Sequence, residues 1–235
     1  MHPLFTDVYT TILRVLLPVR CVVCKQEAPT ALCNECLNQL SPVPTQCCAL
    51  CRKPSLAGFT HPACINESTL DQLLSRYNYT DPHVSELIIA GKYKFIPDAF
   101  HMAAPELGRL VKLYIELDTA NTLVIPLPLH RYRQRWRGFN QAAILAQRMS
   151  LDLDIPYAEA LRRHRRTQTQ KDLKKVDRLV NIANCFSCIP QMSPQGKTIL
   201  LVDDVITSGS TLQEAAKVLK QHGAARVVGV TLARD

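Results

Sequence analysis

From Gln72 onward, the apolar positions alternate between the two-residue period of strands and the longer period of helices. Strands are predicted at Ser75–Tyr79, Thr122–Pro126, Lys197–Val202 and Ala225–Leu232. Helices are predicted at Val84–Gly91, Phe100–Leu117, Phe139–Met149 and Thr211–Gly223. Strands that alternate with helices favour a parallel sheet covered on both faces, and the ligands of such sheets bind at the carboxyl ends of the strands. The pattern therefore predicts an α/β fold over residues 68–235.

The first 19 residues show a separate amphipathic pattern with helical spacing. Its apolar positions are Leu4, Phe5, Val8, Ile12, Leu13 and Leu16. The pattern predicts a short N-terminal helix that packs on the protein, with a membrane surface as the alternative.

The segment contains Asp7 and Arg14 and lacks a small-residue cleavage site, so we do not interpret it as a signal peptide. No apolar run approaches the ~20 residues of a membrane span, and we expect a cytoplasmic location with reduced thiols.

Eight of the ten cysteines precede residue 65, and seven of them belong to two copies of one spacing. The candidate metal ligands are Cys21, Cys24, Cys33 and Cys36 in the first copy, and Cys48, Cys51, His61 and Cys64 in the second. A C-x2-C turn aims two sulfurs at one point about 2.3 Å away, and a second pair completes the tetrahedron that Zn²⁺ prefers. Residues 20–66 are therefore predicted to form a double zinc-knuckle module with one or two structural Zn²⁺ ions. Zinc removal is expected to unfold this module and to spare the larger domain.

Several of these positions leave alternatives open. The ligands of one zinc site could come from one copy of the spacing or from both. His61 precedes a proline and could be an ordinary loop histidine, and we interpret Cys47 as an idle thiol because Cys48 keeps the spacing. Cys185 and Cys188 also have C-x2-C spacing, but residues three apart in a strand face opposite sides, so we interpret this pair as a coincidence.

The net charge of +8 is concentrated in one part of the chain. The segment His130–Val180 contains thirteen Lys or Arg residues against five acidic ones, and the other 184 residues carry no net charge. Such clustering favours a polyanionic partner, either phosphate groups or nucleic acid, over a solvated basic loop. The candidates for contact with DNA or pyrophosphate are Arg135, Arg137, Asn140, Gln141, Arg163, Arg165 and Arg166. The candidates for base stacking in this segment are Tyr132, Trp136 and Phe139.

The most specific motif follows the third predicted strand. The apolar run Ile199–Val202 leads into Asp203 and Asp204, then two apolar residues, then Thr207–Thr211 at the start of a helix. Small hydroxyl residues around Gly209 at a helix N-terminus offer backbone N–H groups to a phosphate. Two adjacent carboxylates at a strand end can hold sugar hydroxyls or Mg²⁺. A simple strand–turn–helix connection would explain the hydroxyls as helix caps but not the two acids.

This run resembles the signature with which type I phosphoribosyltransferases bind phosphoribosyl pyrophosphate (PRPP). A second match, Ile125–Arg131 with Arg135–Gln141, is similar to the ComF/GntX family of competence and DNA-utilization proteins. That family joins an N-terminal cysteine-knuckle module to a phosphoribosyltransferase domain, so the resemblance covers nearly the whole chain. There are two departures: Gly91-Lys92-Tyr93 stands where the family often has Leu-Lys-Tyr, and His61 stands where a cysteine is usual.

The resemblance implies a role for each part of these motifs. Asp203 and Asp204 would be the catalytic acids and would face the ribose hydroxyls, with Mg²⁺ bound together with PRPP. The 5′-phosphate would be held by Thr207, Ser208, Gly209, Ser210 and Thr211, and the pyrophosphate loop would be Leu127, Pro128, Leu129, His130 and Arg131. The stretch Arg162–Asn181 matches a mobile loop that could close over PRPP. We expect both acids in an exposed loop tip, so their replacement by Asn should abolish PRPP binding without unfolding the protein.

The sequence leaves three functions open. The resemblance favours the uptake and use of DNA in natural transformation, with DNA-uptake helicase or processing proteins as further partners. The localised charge favours single-stranded DNA as a ligand. The alternatives are an active phosphoribosyltransferase, whose acceptor pocket cannot be recognised, and a regulator that senses PRPP, which would not need so much positive charge. Whether the chain is an enzyme stays open.

Overall fold

A four-stranded parallel sheet forms the centre of the protein in the computed structural model, which describes residues 19–165, 184–190 and 192–235. In spatial order, its strands are β1 (Gln72–Asn78), β6 (Arg226–Arg234), β5 (Thr198–Ile206) and β2 (Thr122–Pro126). A separate antiparallel pair consists of β3 (Leu161–Arg163) and β4 (Phe186–Cys188). The predicted N-terminal helix and most of the predicted mobile loop, including Arg166, lie outside the described residues.

The helices of the described residues cover both faces of the sheet. They are α1 (Asn34–Gln39), α2 (Pro82–Tyr93), α3 (Asp98–Ala103), α4 (Pro105–Tyr114), α5 (Arg131–Arg137), α6 (Gln141–Leu153) and α7 (Ser210–Gln221). Short 3₁₀ turns occur at Leu56–Gly58 and Pro62–Cys64. Within the described residues, no helix has both the length and the apolar character needed to cross a membrane.

Alternate residues of β5 contribute to two hydrophobic cores. Leu200 and Val202 belong to a cluster with α2, α3, α4 and α6, which we call the first core. Ile199 and Leu201 pack on the other face, against α7 and β4. Burial of a strand on both faces is typical of parallel sheets between helices. The predicted α/β fold with a parallel sheet is therefore confirmed.

Several element boundaries differ from the predicted ones, and single residues explain two of the differences. The helix predicted at Phe100–Leu117 is divided into α3 and α4 at Pro105, which has no N–H to continue the hydrogen-bond pattern. Helix α5 was not predicted, and Gly138 with a φ of 82° separates it from α6. Strand β5 continues four residues beyond Val202. This last difference changes the environment of both acids in the motif.

The cysteine-rich module, residues 20–66, packs into the first core. Cys21 belongs to the same buried cluster as Tyr77 of β1. The buried amide of Gln46 pairs with the backbone of Ser75: its Nε2 donates to the Ser75 carbonyl at 3.1 Å, and its Oε1 accepts from the Ser75 N–H at 2.9 Å. The module and the sheet therefore share a core, which bears on what zinc removal will do.

Candidate functional site

The two adjacent carboxylates lie inside β5 and have different environments. Asp203 is partly exposed, and its Oδ1 accepts a hydrogen bond of 2.9 Å from the N–H of Asp204. Asp204 is only 3% exposed. Its Oδ1 accepts from the N–H of Val205 at 2.8 Å, and its Oδ2 forms an ion pair of 2.8 Å with Nζ of Lys92. Asp203 is therefore the acid that a ligand can reach, whereas Asp204 is committed to Lys92.

The expectation that both acids occupy an exposed loop tip is wrong. Strand β5 stays paired with β6 as far as Ile206, and Asp203 is in register with Thr231. The strand does not end at the acids because the apolar residues Val205 and Ile206 extend it beyond them. Replacing Asp204 by Asn would consequently remove the counter-charge of a largely buried ammonium group, which is costly.

Lys92 is a site residue that the sequence marked only as part of a departure from the family motif. It lies in the last turn of α2, where Gly91 allows the helix to pack closely on Phe100. A Cβ atom added to Gly91 would lie 2.2 Å from Cε2 of that ring. Burial acts to lower the pKa of Lys92, but the charge and hydrogen bond of Asp204, together with the charge of Asp203, outweigh it and raise the pKa above its ordinary value. The ammonium group therefore stays charged.

The loop after β5 forms a small open cavity of about 60 Å³ beside Asp203. Gly209 has a left-handed φ of 78°, which turns the chain into α7. The hydroxyls of Ser208 and Ser210 lie 2.7 Å apart. The cavity is lined by Asp203, Val205, Ile206, Thr207, Ser208, Gly209, Thr211 and Leu212. Because the N–H groups and the positive dipole end of a 12-residue helix lie at this loop, the arrangement suits a phosphate group.

The predicted pyrophosphate loop, Leu127–Arg131, follows β2 at the same edge of the sheet. The N–H of Leu127 donates to the carbonyl of Val202 at 2.8 Å, and its own carbonyl accepts from Nδ2 of Asn140 at 3.1 Å. Asn140 also caps α6, since its Oδ1 accepts from the N–H of Ala142 at 3.2 Å. The side chain of Asn140, predicted as a contact for DNA or pyrophosphate, thus holds the loop against α6.

Arg137 and Gln141, at the end of α5 and the start of α6, are both buried. Nη1 of Arg137 donates to Oε1 of Gln141 at 2.6 Å, and its Nε has no hydrogen-bond partner within the described part of the chain. Burial lowers the pKa of Arg137, while the charge of Asp204 acts in the opposite direction. A guanidinium group with an unused N–H near two carboxylates is suited to an additional anionic ligand.

Arg163 approaches the same site from β3. Its guanidinium carbon lies 5.4 Å from the centroid of the Phe186 ring. Burial lowers the pKa of Arg163, and the nearby charges that counteract this effect include that of Asp203. The other predicted arginines in the described residues are on the surface: Arg131, Arg135 and Arg165. Lys92 therefore contacts Asp204 directly, and the charges of Arg137 and Arg163 interact with those of the acids.

Asp203 has an unusual protonation equilibrium. Burial raises its pKa to about 8, and the charge of Asp204 adds to the increase. Without a ligand, Asp203 therefore holds a proton over part of the neutral range. A divalent cation would displace that proton because it favours the ionised carboxylate. Carboxylate and hydroxyl oxygens are the ligands that Mg²⁺ prefers, so Asp203 fits a Mg²⁺ ion bound together with a sugar.

The candidate zinc ligands form two sets, each drawn from one copy of the spacing. The first set is Cys21, Cys24, Cys33 and Cys36, and the second is Cys48, Cys51, His61 and Cys64. Within each set, the ligand atoms all lie within 4.8 Å of one another. The sulfurs of Cys24 and Cys33 are 3.9 Å apart, which fits a tetrahedron with Zn–S distances of about 2.3 Å. The pairing is sequential, and Cys185 and Cys188 belong to neither set.

His61 contributes to the second set and is not an ordinary loop histidine. Its Nδ1 lies 3.2 Å from Sγ of Cys51, and its Nε2 lies 3.1 Å from the carbonyl of Pro54. An N–H donated from Nε2 to that carbonyl leaves the Nδ1 lone pair for a metal.

Burial opposes ionisation of the first cysteine in each set, but backbone N–H hydrogen bonds outweigh it and lower the pKa of Cys21 to about 6 and of Cys48 to about 7. The thiolate form is the metal ligand.

The C-x2-C turns that begin the two sets have the same local structure. Lys25 and Arg52 each follow a C-x2-C turn, and both have left-handed backbones with φ values of 64° and 62°. Their N–H groups donate to the carbonyl of the first cysteine of the turn at 2.9 and 3.0 Å. Cys47 precedes the second turn and is outside the ligand set, and its Sγ lies 2.9 Å from Nη1 of Arg234.

Known protein families match both parts of the chain. Residues 137–235 match the phosphoribosyl transferase domain family, and residues 12–65 match the double zinc ribbon domain family. Together with the parallel sheet and the cysteine sets, these matches define the class of the protein. It has a type I phosphoribosyltransferase-like domain joined to a double zinc ribbon.

Individual relatives identify the family. The chain is 32% identical to competence protein F of Haemophilus influenzae over 229 residues, which cover 92% of this chain and 96% of that protein. It is 31% identical to competence protein ComFC of Bacillus subtilis over 216 residues, covering 87% and 84%. It is 40% identical to DNA utilization protein YhgH of Escherichia coli O157:H7 over 105 residues, covering 44% and 45%. The chain belongs to the ComF/GntX family of competence and DNA-utilization proteins.

Proposed function

We propose that this chain acts in natural transformation, in the uptake and use of DNA, and that it binds PRPP with Mg²⁺ and single-stranded DNA in the cytoplasm. The observation that carries the proposal is the cavity in which Asp203 lies beside the phosphate loop, together with the adjacent ion pair of Asp204 with Lys92. The names of the relatives as competence and DNA-utilization proteins support the cellular role.

In this proposal, each part of PRPP has its own partner. The ribose hydroxyls and Mg²⁺ contact Asp203, and the 5′-phosphate occupies the loop Thr207–Thr211. The pyrophosphate lies at Leu127–Arg131, where the guanidinium groups of Arg137 and Arg163 can neutralise it because they match phosphate oxygens. Bound Mg²⁺ would supply further neutralisation of the pyrophosphate charge.

The balance of charge at the site favours a polyanion. Asp204 and Lys92 neutralise each other in their ion pair. Asp203, whose raised pKa favours the neutral form without a ligand, then contributes at most one negative charge against the positive charges of Arg137 and Arg163. Such a site attracts PRPP and Mg²⁺ together more strongly than it attracts a cation alone.

Thermal unfolding tests the PRPP part of the proposal. PRPP with Mg²⁺ should raise the Tm of the parent protein, because a ligand that binds only the folded state at a hundredfold excess over its Kd stabilises it by about 2.7 kcal/mol. Asp203→Asn should lose most of this increase and stay folded. Asp118→Asn, at an exposed carboxylate outside the site, should keep it. An unchanged Tm of the parent at millimolar PRPP would contradict the proposal.

The DNA part of the proposal depends on the surface arginines. Binding should be weak and independent of sequence, and its affinity should fall with salt at a log–log slope of about −0.7 per phosphate neutralised. Arg165→Glu should weaken DNA binding more than PRPP binding because Arg165 is exposed, whereas Arg163→Glu should weaken both because Arg163 lies near Asp203. Affinity that does not change with salt, or normal transformation in a strain without the protein, would contradict this part.

An active phosphoribosyltransferase is the second candidate function, because a larger cavity adjoins the phosphate loop. This cavity of about 250 Å³ lies between the second zinc set and the sheet and shares Ile206 with the smaller one. Its lining residues are Cys47, Cys48, Ala49, Arg52, Leu73, Ile206, Arg234 and Asp235. Release of pyrophosphate from PRPP that depends on an added acceptor would favour this function over binding alone.

A further inference from the structure

Four aromatic side chains lie exposed at the end of α2 and on α5. They are Tyr93, Phe95, Tyr132 and Trp136, each between 46% and 57% exposed, and we call them the aromatic platform. Within the described residues, Phe59 is the one other aromatic side chain with comparable exposure. Phe139, predicted from the sequence as a stacking candidate, packs against the first core. The exposed rings are therefore concentrated beside the proposed PRPP site, since Lys92 precedes Tyr93 and pairs with Asp204.

The central pair of the platform is held by an unusual backbone conformation. The ring centroids of Phe95 and Trp136 lie 5.1 Å apart at an angle of 69° between the planes. Phe95 has a φ of 58°, in the left-handed region that bulky residues rarely occupy. The flanking N–H groups of Lys94 and Ile96 both donate to the carbonyl of Ala90, at 3.1 and 3.3 Å. A strained residue that projects a half-exposed ring is more typical of a binding site than of a core.

The charge around the platform fits a phosphate backbone. Helix α5 has the sequence Arg131-Tyr-Arg-Gln-Arg-Trp-Arg137 and contains no acidic residue. Tyr132 and Trp136 are four residues apart, so they lie on the same side of the helix, with arginines on either side of each ring in sequence. Aromatic rings alternating with cationic side chains are the features that non-specific single-strand binding proteins use, with bases stacked on rings and phosphates contacted by charges.

We propose that the aromatic platform binds single-stranded DNA by stacking bases on Phe95 and Trp136, while Arg135 and the partly exposed Arg133 of α5 contact the phosphates. This inference rests on the proposed function in DNA use and adds the surface and the mode of contact. It also gives a role to positive charge on α5 that the PRPP site does not use. Duplex DNA should bind less well because its bases are already stacked.

Intrinsic fluorescence can test the platform directly, because Trp136 is the single tryptophan of the chain. Titration of the full chain with a 20-nucleotide oligo-dT should quench the emission of Trp136. An abasic oligonucleotide of the same length carries the same phosphates without bases, so it should bind through charge with little quenching. Fluorescence anisotropy of the labelled oligonucleotides gives the affinity independently of the quenching.

Matched variants separate stacking from charge. Phe95→Ala and Trp136→Ala should each weaken oligo-dT binding by roughly tenfold and leave abasic binding unchanged, because a stacked base is sensitive to loss of its ring. Trp136→Phe should keep most of the affinity, because a phenylalanine ring can also stack on a base. In that case the loss of affinity in Trp136→Ala is not caused by misfolding. Phe59→Ala is the control, because Phe59 is exposed beside Arg226, at the start of β6, and should have no effect.

The outcomes distinguish this inference from the proposed function. If the parent binds no single-stranded DNA at low salt, the DNA part of the proposed function fails and the platform proposal fails with it. If oligo-dT and the abasic strand bind equally, without quenching and without an effect of either alanine variant, the platform proposal alone is overturned. One further outcome would overturn the platform proposal. If the parent self-associates without DNA, if this association quenches Trp136, and if Phe95→Ala removes it, the rings bind a second copy of the chain.

Discussion

Asp203 makes the stability of the folded protein depend on pH. Its pKa is about 8 in the folded state, against about 3.9 for an unperturbed aspartate. Between these values, the folded state binds a proton that the unfolded state does not. The stability that this group contributes is therefore fully present below about pH 4 and is lost as the pH rises through about 8. Asp203, the carboxylate proposed to bind the ligand, therefore lowers the stability of the ligand-free protein as the pH rises.

Asp203→Asn should remove this loss of stability at higher pH, because asparagine has no carboxyl group to ionise. Without ligand, the variant should have a higher Tm than the parent, and the difference should grow as the pH rises from 5.5 to 8. Asp118→Asn is the matched control, because hydrogen bonds from Asn121 lower the pKa of Asp118 and keep it ionised throughout this range. Its Tm difference from the parent should stay constant. Thermal unfolding at several pH values measures both, and a gain for Asp203→Asn that does not grow with pH would contradict the assignment.

At the scale of the elements, the packing of α2 on α3 positions Lys92. Gly91→Ala should destabilise the protein by about 1–3 kcal/mol, because the new Cβ would lie 2.2 Å from the fully buried Phe100 ring and force the two helices apart. Gly108→Ala in α4 is the control, since its Cβ would be 3.4 Å from the nearest atom, in Asp152, and alanine favours a helix by up to about 1 kcal/mol. Urea unfolding measures both changes. Equal stability of the two variants would contradict this account of the packing.

The sequence predicted those elements and site residues that depend on local patterns. Strand β2 has the bounds that were predicted for it. All five of its residues are buried, four of them are apolar, and the last is a proline. The phosphate loop could be recognised because its hydroxyls, its glycine and the helix start are contiguous. Lys92 could not be assigned to the site, because its ion pair with Asp204 depends on how a distant helix packs. The pairing of Phe95 with Trp136 depends in the same way on a contact between residues far apart in sequence.

At the scale of the whole molecule, the shared core changes the expected effect of zinc removal. Cys21 and Cys36 belong to the same cluster as Tyr77 of β1, so loss of the first zinc site should expose part of the first core. We expect two Zn²⁺ ions per chain by elemental analysis, and a single cooperative unfolding transition at lower temperature after chelation. Separate melting of residues 20–66, with the transition of the sheet unchanged, would instead support an independent module.

A crystal structure of the protein soaked with PRPP and Mg²⁺ would show whether PRPP binds where β5 leads into the Thr207–Thr211 loop. We expect the ribose hydroxyls and Mg²⁺ at Asp203, the 5′-phosphate in the loop Thr207–Thr211, and the pyrophosphate between Leu127–Arg131 and the guanidinium group of Arg137. Asp204 should keep its ion pair with Lys92. PRPP bound elsewhere on the protein, or a Thr207–Thr211 loop without bound phosphate at saturating PRPP, would show that this is not the PRPP site.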